Sequence, residues 1–185
     1  MLSGEQNSLN IDRQLTDEVF TIMSNDEESI YASCARYFIT VHMWYPILVK
    51  EEFYDRLENI KSMPMADFSI LVFNIYYLGQ IYRQPPRQKE DLKQLHRKAK
   101  SLHYLLVSAG RRSITLVQAG LLLALYEHTQ ALHDDAFQTI GICARMGYTL
   151  GFHKTLSPDA FPGDRDNKER DYQRLVWWGI IILER

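Results

Sequence analysis

The sequence predicts an all-α fold of about eight helices that stack as helical hairpins. Three observations carry this. Apolar residues recur at helical spacing along most of the 185 residues. The breaks between those runs hold proline, glycine or capping side chains, and no stretch alternates as a half-buried strand would. With 46% apolar residues the chain can bury a substantial core, enough for one medium domain or most of a larger one. No period of fixed length repeats along it.

The N-terminal segment, 1–28, is read as polar and frayed over residues 1–10. One helix follows, in which Ile11, Leu15, Val19 and Ile22 form a stripe. The main domain is read as 29–185. "SNDEES" supplies caps and acid to a helix "IYASCARYFITVHMW", which Pro46 ends. "KEEFYDRLENI" is a short helix with Phe53, Leu57 and Ile60 on one face. "FSILVFNIYYLGQIY" is apolar all round and is read as a buried helix, with its β-branched and aromatic content leaving a strand open.

The double proline of "RQPPRQ" breaks the chain. The amphipathic helix that follows sets Leu92, Leu95, Ala99, Leu102 and Leu106 against Lys89, Lys93, Arg97 and Lys100. Glu90 and Asp91 interleave with those cations, so the polar side is read as a solvated face. "SAGRRS" is a turn, and Ser113 is placed to cap the next helix.

That helix opens the stretch richest in polar chemistry, "LYEHTQALHDDAFQTIGICARMGYTLGFHK". His128 and His133 are five positions apart, a rotation of about 140° on a continuous helix, so they cannot hold one metal as an i, i+4 pair would. Asp134 and Asp135 stand where carboxylates meet the positive end of a helix. Gly151 is placed as the C-terminal glycine. Gly141, Ala144 and Gly147 make a strip of small side chains for close helix approach. The stretch is therefore read as a helical hairpin with polar ends. Tyr76, Tyr77, Tyr82 and Trp44 could line a pocket but are read as core filling.

Composition excludes several classes. Formal net charge is -2, so no overall positive field draws the chain to nucleic acid or to an anionic membrane. The start of the chain lacks the basic and apolar regions of a signal peptide. The longest apolar run, "LVWWGIIIL" from Leu175, is too short to span a bilayer. Cys34 and Cys143 lie far apart in apolar company and are read as reduced core side chains.

No phosphate-binding glycine motif and no nucleophile elbow occurs. The aspartate-rich and Asn/Asp–Ser–Glu motifs of all-α terpene cyclases are imitated by "DDAFQ" and "NDEESIYAS". The first lacks its later acid, the second ends in Ser33 where glutamate is required, and their order is reversed. A three-magnesium site cannot be assembled from them. The chain is read as no enzyme, with no catalytic, metal or cofactor-binding residues.

Three blocks carry a resemblance. "YFITVHMWYPILVKEEFYDRL" (Tyr37–Leu57) resembles the opening signature of the fungal-specific transcription factor domain, the middle homology region of fungal binuclear zinc-cluster regulators. "VQAGLLLALYEHTQALHDDAFQTIGICARMGYTLGFHK" (Val117–Lys154) resembles its central hairpin. "ERDYQRLVWWGIIILER" (Glu169–Arg185) resembles its "R…WW…(D/E)R" helix. Order and spacing match across all three.

The resemblance implies structural roles for the motif residues. His42, Trp44, Pro46 and Phe53 fix a turn between two helices. Arg145, Gly151 and His153 sit on the second hairpin helix and its exit. An arginine buried among these helices, such as Arg145, needs a carboxylate partner, for which Glu184 and Glu127 are open. Arg174, Trp177, Trp178, Glu184 and Arg185 pack the last helix. It also implies transcription regulation in the nucleus, as a regulatory and effector-responsive body. The implied partners are a small-molecule effector or co-regulator protein, a second copy of the chain, and DNA only through a six-cysteine zinc cluster absent here. No membrane is among them.

Family domains continue beyond the "WW…R" helix, so the chain is read as the first part of a regulatory domain, with exposed apolar surface on "LVWWGIIIL" and self-association as consequences. The alternative reading is a helical protein-interaction scaffold without a transcriptional role.

Overall fold

The computed structural model describes residues 2–26, 28–156 and 167–185. Among them are eight α-helices and no strand. The helices are α1 (Leu2–Ser24), α2 (Ile30–Ile39), α3 (Lys50–Asn59), α4 (Ala66–Ile81), α5 (Lys89–Ser108), α6 (Ile114–Thr129), α7 (His133–Thr149) and α8 (Asn167–Glu184). Short 3-10 turns occupy Val41–Met43 and Phe152–Leu156.

The two helices with no polar face, α4 and α6, form the centre. Every residue from Ala66 to Gln80 and from Thr115 to Glu127 is buried, as a helix apolar all round requires. This settles "FSILVFNIYYLGQIY" as helix. α4 is wrapped by α1, α2, α5 and α6, while α6 pairs with α7 as a hairpin and α8 closes over both. Buried polar side chains pin the two central helices. Asn74 Nδ2 donates to Ala119 O at 2.7 Å, and Gln118 Nε2 donates to Ile47 O at 2.6 Å.

The first helix departs from its expected form. It begins at Leu2 rather than after residue 10, because extending a formed helix adds one hydrogen bond for each residue fixed. Its buried face is Asp12, Leu15, Thr16, Val19 and Met23, whereas Ile11 is 41% exposed. The polar members of that face have distant partners. Asp12 Oδ1 accepts from Ala66 N at 2.8 Å, capping the start of α4, and Arg111 Nη2 donates to the same oxygen at 2.7 Å. Segment 1–28 thus adds Leu15, Val19 and Met23 to the same core as the rest.

α2 stops at Ile39, five residues short of the expected Trp44, where the Thr40 backbone leaves the helix and a 3-10 turn follows. The turn is held by Tyr45 and Ile47, both 2% exposed, with Tyr45 Oη donating to Gly179 O at 2.8 Å. Close approaches occur at glycines that the small-residue strip did not single out. A Cβ on Gly79 would stand 2.8 Å from Ser33 O, and one on Gly120 would stand 2.5 Å from Cys143 Sγ. Within the strip, Gly147 does admit Trp177 and Ile180 of α8, but Gly141 faces only the side chain of Arg145.

One ion cluster ties the N-terminal segment to α4. Arg83 Nη1 and Arg87 Nη1 reach Asp26 at 2.8 and 2.7 Å, and Tyr76 Oη donates to it at 2.6 Å. Burial would raise the Asp26 carboxyl, but the Tyr76 bond and the two arginines outweigh it and hold it at about 2. A carboxyl depressed from its ordinary 3.8 stabilises the fold above the unfolded value and loses that contribution as pH falls through about 2. Asp26→Asn is therefore expected to cost about 2 kcal/mol at neutral pH and almost nothing at the acid limit. Urea unfolding at both pH values measures the difference, and a cost independent of pH would contradict the assignment.

Candidate functional site

Two grooves flank α7, one against α5 and one against α8, and the most unusual buried charge lies against residues that line the first. Glu127, near the end of α6, is fully buried. Its Oε1 accepts from Lys100 Nζ and faces His96 Nε2, both at 3.0 Å, while its Oε2 has no partner. Lys100 also binds Asp135 in the first turn of α7. One ammonium therefore joins α5, α6 and α7. Burial alone would lower the Lys100 ammonium, but Asp135 and Glu127 hold it above the ordinary lysine value.

This corrects the reading of Lys100 as part of a solvated face. Sequence spacing could not show it, because the carboxylates lie 27 and 35 residues away in the chain. Lys93 and Arg97 do remain on the exposed side, 3.8 and 3.9 Å from Glu90. Together with Tyr104 and Leu132 they line a groove of about 620 Å³ along α5 and α7.

The second groove, of about 660 Å³, runs between α7 and the end of α8. It gathers His128, His133, Asp134, Arg145, Glu184 and Arg185 around Phe137, Ile140 and Tyr148. Arg145 is exposed and forms no ion pair among the described residues, with its guanidinium lying over Gly141. Both expected partners fail. Glu127 is committed to Lys100 and His96, and Glu184 lines the same groove without bonding Arg145.

Glu184 and Arg185 are exposed at the end of the chain and do not pack the last helix. That packing comes from Val176, Trp177 and Ile180, the face turned to α6 and α7. Trp178, expected to pack the last helix, is instead 48% exposed on the opposite face, with Ile182 at 58%. Arg174 is half exposed and donates to Thr155 O at 3.2 Å, tying α8 to the 3-10 turn before it.

The remaining motif residues are scattered. Phe53 is buried edge-on to Phe38, with ring centroids 5.4 Å apart, and the half-buried His42 ring meets the same Phe38 at 5.0 Å. Burial and the nearby Lys50 push His42 below the usual histidine value. Trp44 and Pro46 are exposed and do not fix the turn, which hangs on Tyr45 and Ile47 instead. Gly151 takes the left-handed conformation at φ 80° and ends α7. His153 stands in the turn beyond, between Tyr148 and Trp177. Tyr76 and Tyr77 are closed core rings while Trp44 and Tyr82 are on the surface, so the four do not converge.

Burial pushes the Cys34 and Cys143 thiols up to about 12, which keeps them protonated and unreactive. Among the described residues no three His, Cys, Asp or Glu side chains form a metal-holding group. None of the described helices is long and apolar enough to cross a membrane.

Comparison with known proteins adds a consistent result. Residues 35–185 match the model of a family described as the fungal specific transcription factor domain. The chain is similar to Transcription factor BOA15 of Botryotinia fuckeliana (strain B05.10), at 28% identity over 123 residues, 66% of this chain and 67% of that protein. It is 26% identical over 159 residues to the Lactose regulatory protein LAC9 of Kluyveromyces lactis, covering 83% of this chain and 17% of that protein. It is 30% identical over 69 residues to the Ascochitine biosynthesis cluster transcriptional regulator of Didymella fabae, covering 37% of this chain and 12% of that protein. The chain thus spans about two thirds of the first relative and under a fifth of the other two. No solved structure matches it.

Proposed function

Because the chain belongs to the fungal specific transcription factor domain family, we propose that it is the helical regulatory body of a fungal nuclear regulator and acts in transcription without itself reading DNA. The observation that carries this is the family match over 35–185, which takes in the central helices α4 and α6 and both grooves beside α7. The body's role on this reading is conformational. It answers a small-molecule effector or a co-regulator protein and changes how the rest of a regulator is presented.

The charge layout supports the second half of the proposal. Arg36, Arg83, Arg87, Lys98, Lys100 and Arg111 are each paired with a carboxylate, and the net charge is -2. Cations held on internal carboxylates are less available to release counterions from a duplex. On this reading a zinc-bearing DNA reader is supplied by other sequence. The names of the three relatives favour regulation over a helical scaffold without a transcriptional role, and no catalysis is proposed.

The test is fluorescence anisotropy of a labelled duplex titrated with the purified chain at several salt concentrations. The expected result is no binding at physiological salt and only weak, sequence-independent binding at low salt. Tight binding that survives physiological salt would overturn the proposal that this body does not read DNA.

A further inference from the structure

We propose that the small hollow between the end of α5, the 109–113 turn and α7 is a binding site for an oxyanion group, a carboxylate or phosphate, held by Arg112 and Arg145 beside the anchored Arg111. The hollow measures about 170 Å³ and is lined by Arg111, Arg112 and Arg145, by Val107, Ile142 and Met146, and by Thr149. Three arginines from two parts of the chain line one space, and among the described residues no carboxylate lines it.

Arg111 is fixed from behind. Its Nε donates to Asp67 at 3.2 Å and its Nη2 donates to Asp12 at 2.7 Å. Arg112 and Arg145 have no such carboxylate among the described residues, and both are exposed. Like charges gathered on one hollow repel each other, more strongly over the apolar floor of Val107, Ile142 and Met146 than in open water. An anion removes that repulsion, and the planar fork of arginine matches a carboxylate or phosphate with two bonds at once.

The larger groove along α5 is the weaker candidate. Its cations Lys93, Arg97 and Lys100 are already answered by Glu90, Glu127 and Asp135. The 170 Å³ hollow is smaller than the ~300 Å³ at which whole small-molecule pockets begin, so it suits the charged group of a ligand. Arg145 also lines the 660 Å³ groove beside it, which leaves room for an attached apolar body. The inference deepens the regulatory reading by giving the effector a chemistry, and rests on that reading only for its biological meaning.

The experiment follows the arginine Nε–H resonances of the purified chain as inorganic phosphate or benzoate is added, with sodium chloride at matched ionic strength as control. Saturable shifts of Arg112 and Arg145 with either anion are expected. Tighter phosphate points to a phosphorylated ligand and tighter benzoate to a carboxylate. Arg145→Gln and Arg112→Gln should each weaken the better anion about tenfold. Their unfolding midpoints without anion should not fall, and should rise slightly as the repulsion is relieved, and Arg145→Lys, which keeps the charge without the fork, should bind with intermediate strength. Shifts that track ionic strength alone, or glutamine variants that bind as the parent does, would overturn the proposal. Neither result involves DNA or transcription, so failure here leaves the regulatory reading standing.

Discussion

Lys100→Met is expected to cost about 3 kcal/mol of folding stability, far more than an ordinary helix-surface lysine. The substitution keeps the length and most of the apolar stem, and removes the ammonium that reaches Glu127 and Asp135. Glu127 is fully buried and one of its oxygens already lacks a partner, so the loss leaves a buried carboxylate with His96 alone. The large cost comes from the orphaned charge, since an intact buried pair adds little net stability. The double variant Lys100→Met/Glu127→Gln should therefore recover more than half of the loss. Urea unfolding of the three proteins at neutral pH measures both numbers. A single variant within about 0.5 kcal/mol of the parent would show that Lys100 is a solvated residue after all.

Gly79→Ala is the second large effect, expected at about 3 kcal/mol. The new Cβ would stand 2.8 Å from the carbonyl oxygen of Ser33, which is backbone and cannot rotate away. α2 and α4 would have to separate. That would disturb the bond from Arg36 Nη1 to Gly79 O at 3.2 Å and the tie between Gln80 Nε2 and Ser33 Oγ at 3.1 Å. Gly141→Ala is the control. Its Cβ meets nothing nearer than the flexible end of Arg145 at 3.5 Å, so helix propensity should make it neutral to slightly stabilising. Equal thermal midpoints for the two variants would contradict this account of the helix contacts.

What could be read in advance followed from local rules. The Ser113 cap, the glycine stop at Gly151 and the apolar stripe of α5 depend on residues within a few positions of one another, and each stands as expected. What could not be read depends on partners remote in sequence. Asp12, on a helix read only for its apolar stripe, caps α4 from 54 residues away. Glu127 looked like a polar helix end and is the most buried charge in the site.

Arg145 illustrates the opposite error. Apolar neighbours in sequence implied burial and a carboxylate partner, but on α7 they turn to α6 and α8 while Arg145 points outward. A helix register fixes which residues share a face. It does not fix which face meets a neighbour or where the helix stops: Trp178 and Glu184 are exposed on α8, while Trp44 and Arg185 lie beyond the helix ends.

The central claim, that this body regulates transcription, is tested most directly in a reporter strain. The chain is inserted between an unrelated DNA-binding domain and an unrelated activation segment, beside an inert helical spacer of equal length and the Lys100→Met variant. The account predicts reporter output that differs several-fold from the spacer and returns toward it when the fold is weakened. Output equal to the spacer's, with the inserted chain folded and present in the nucleus at the same level, would contradict it.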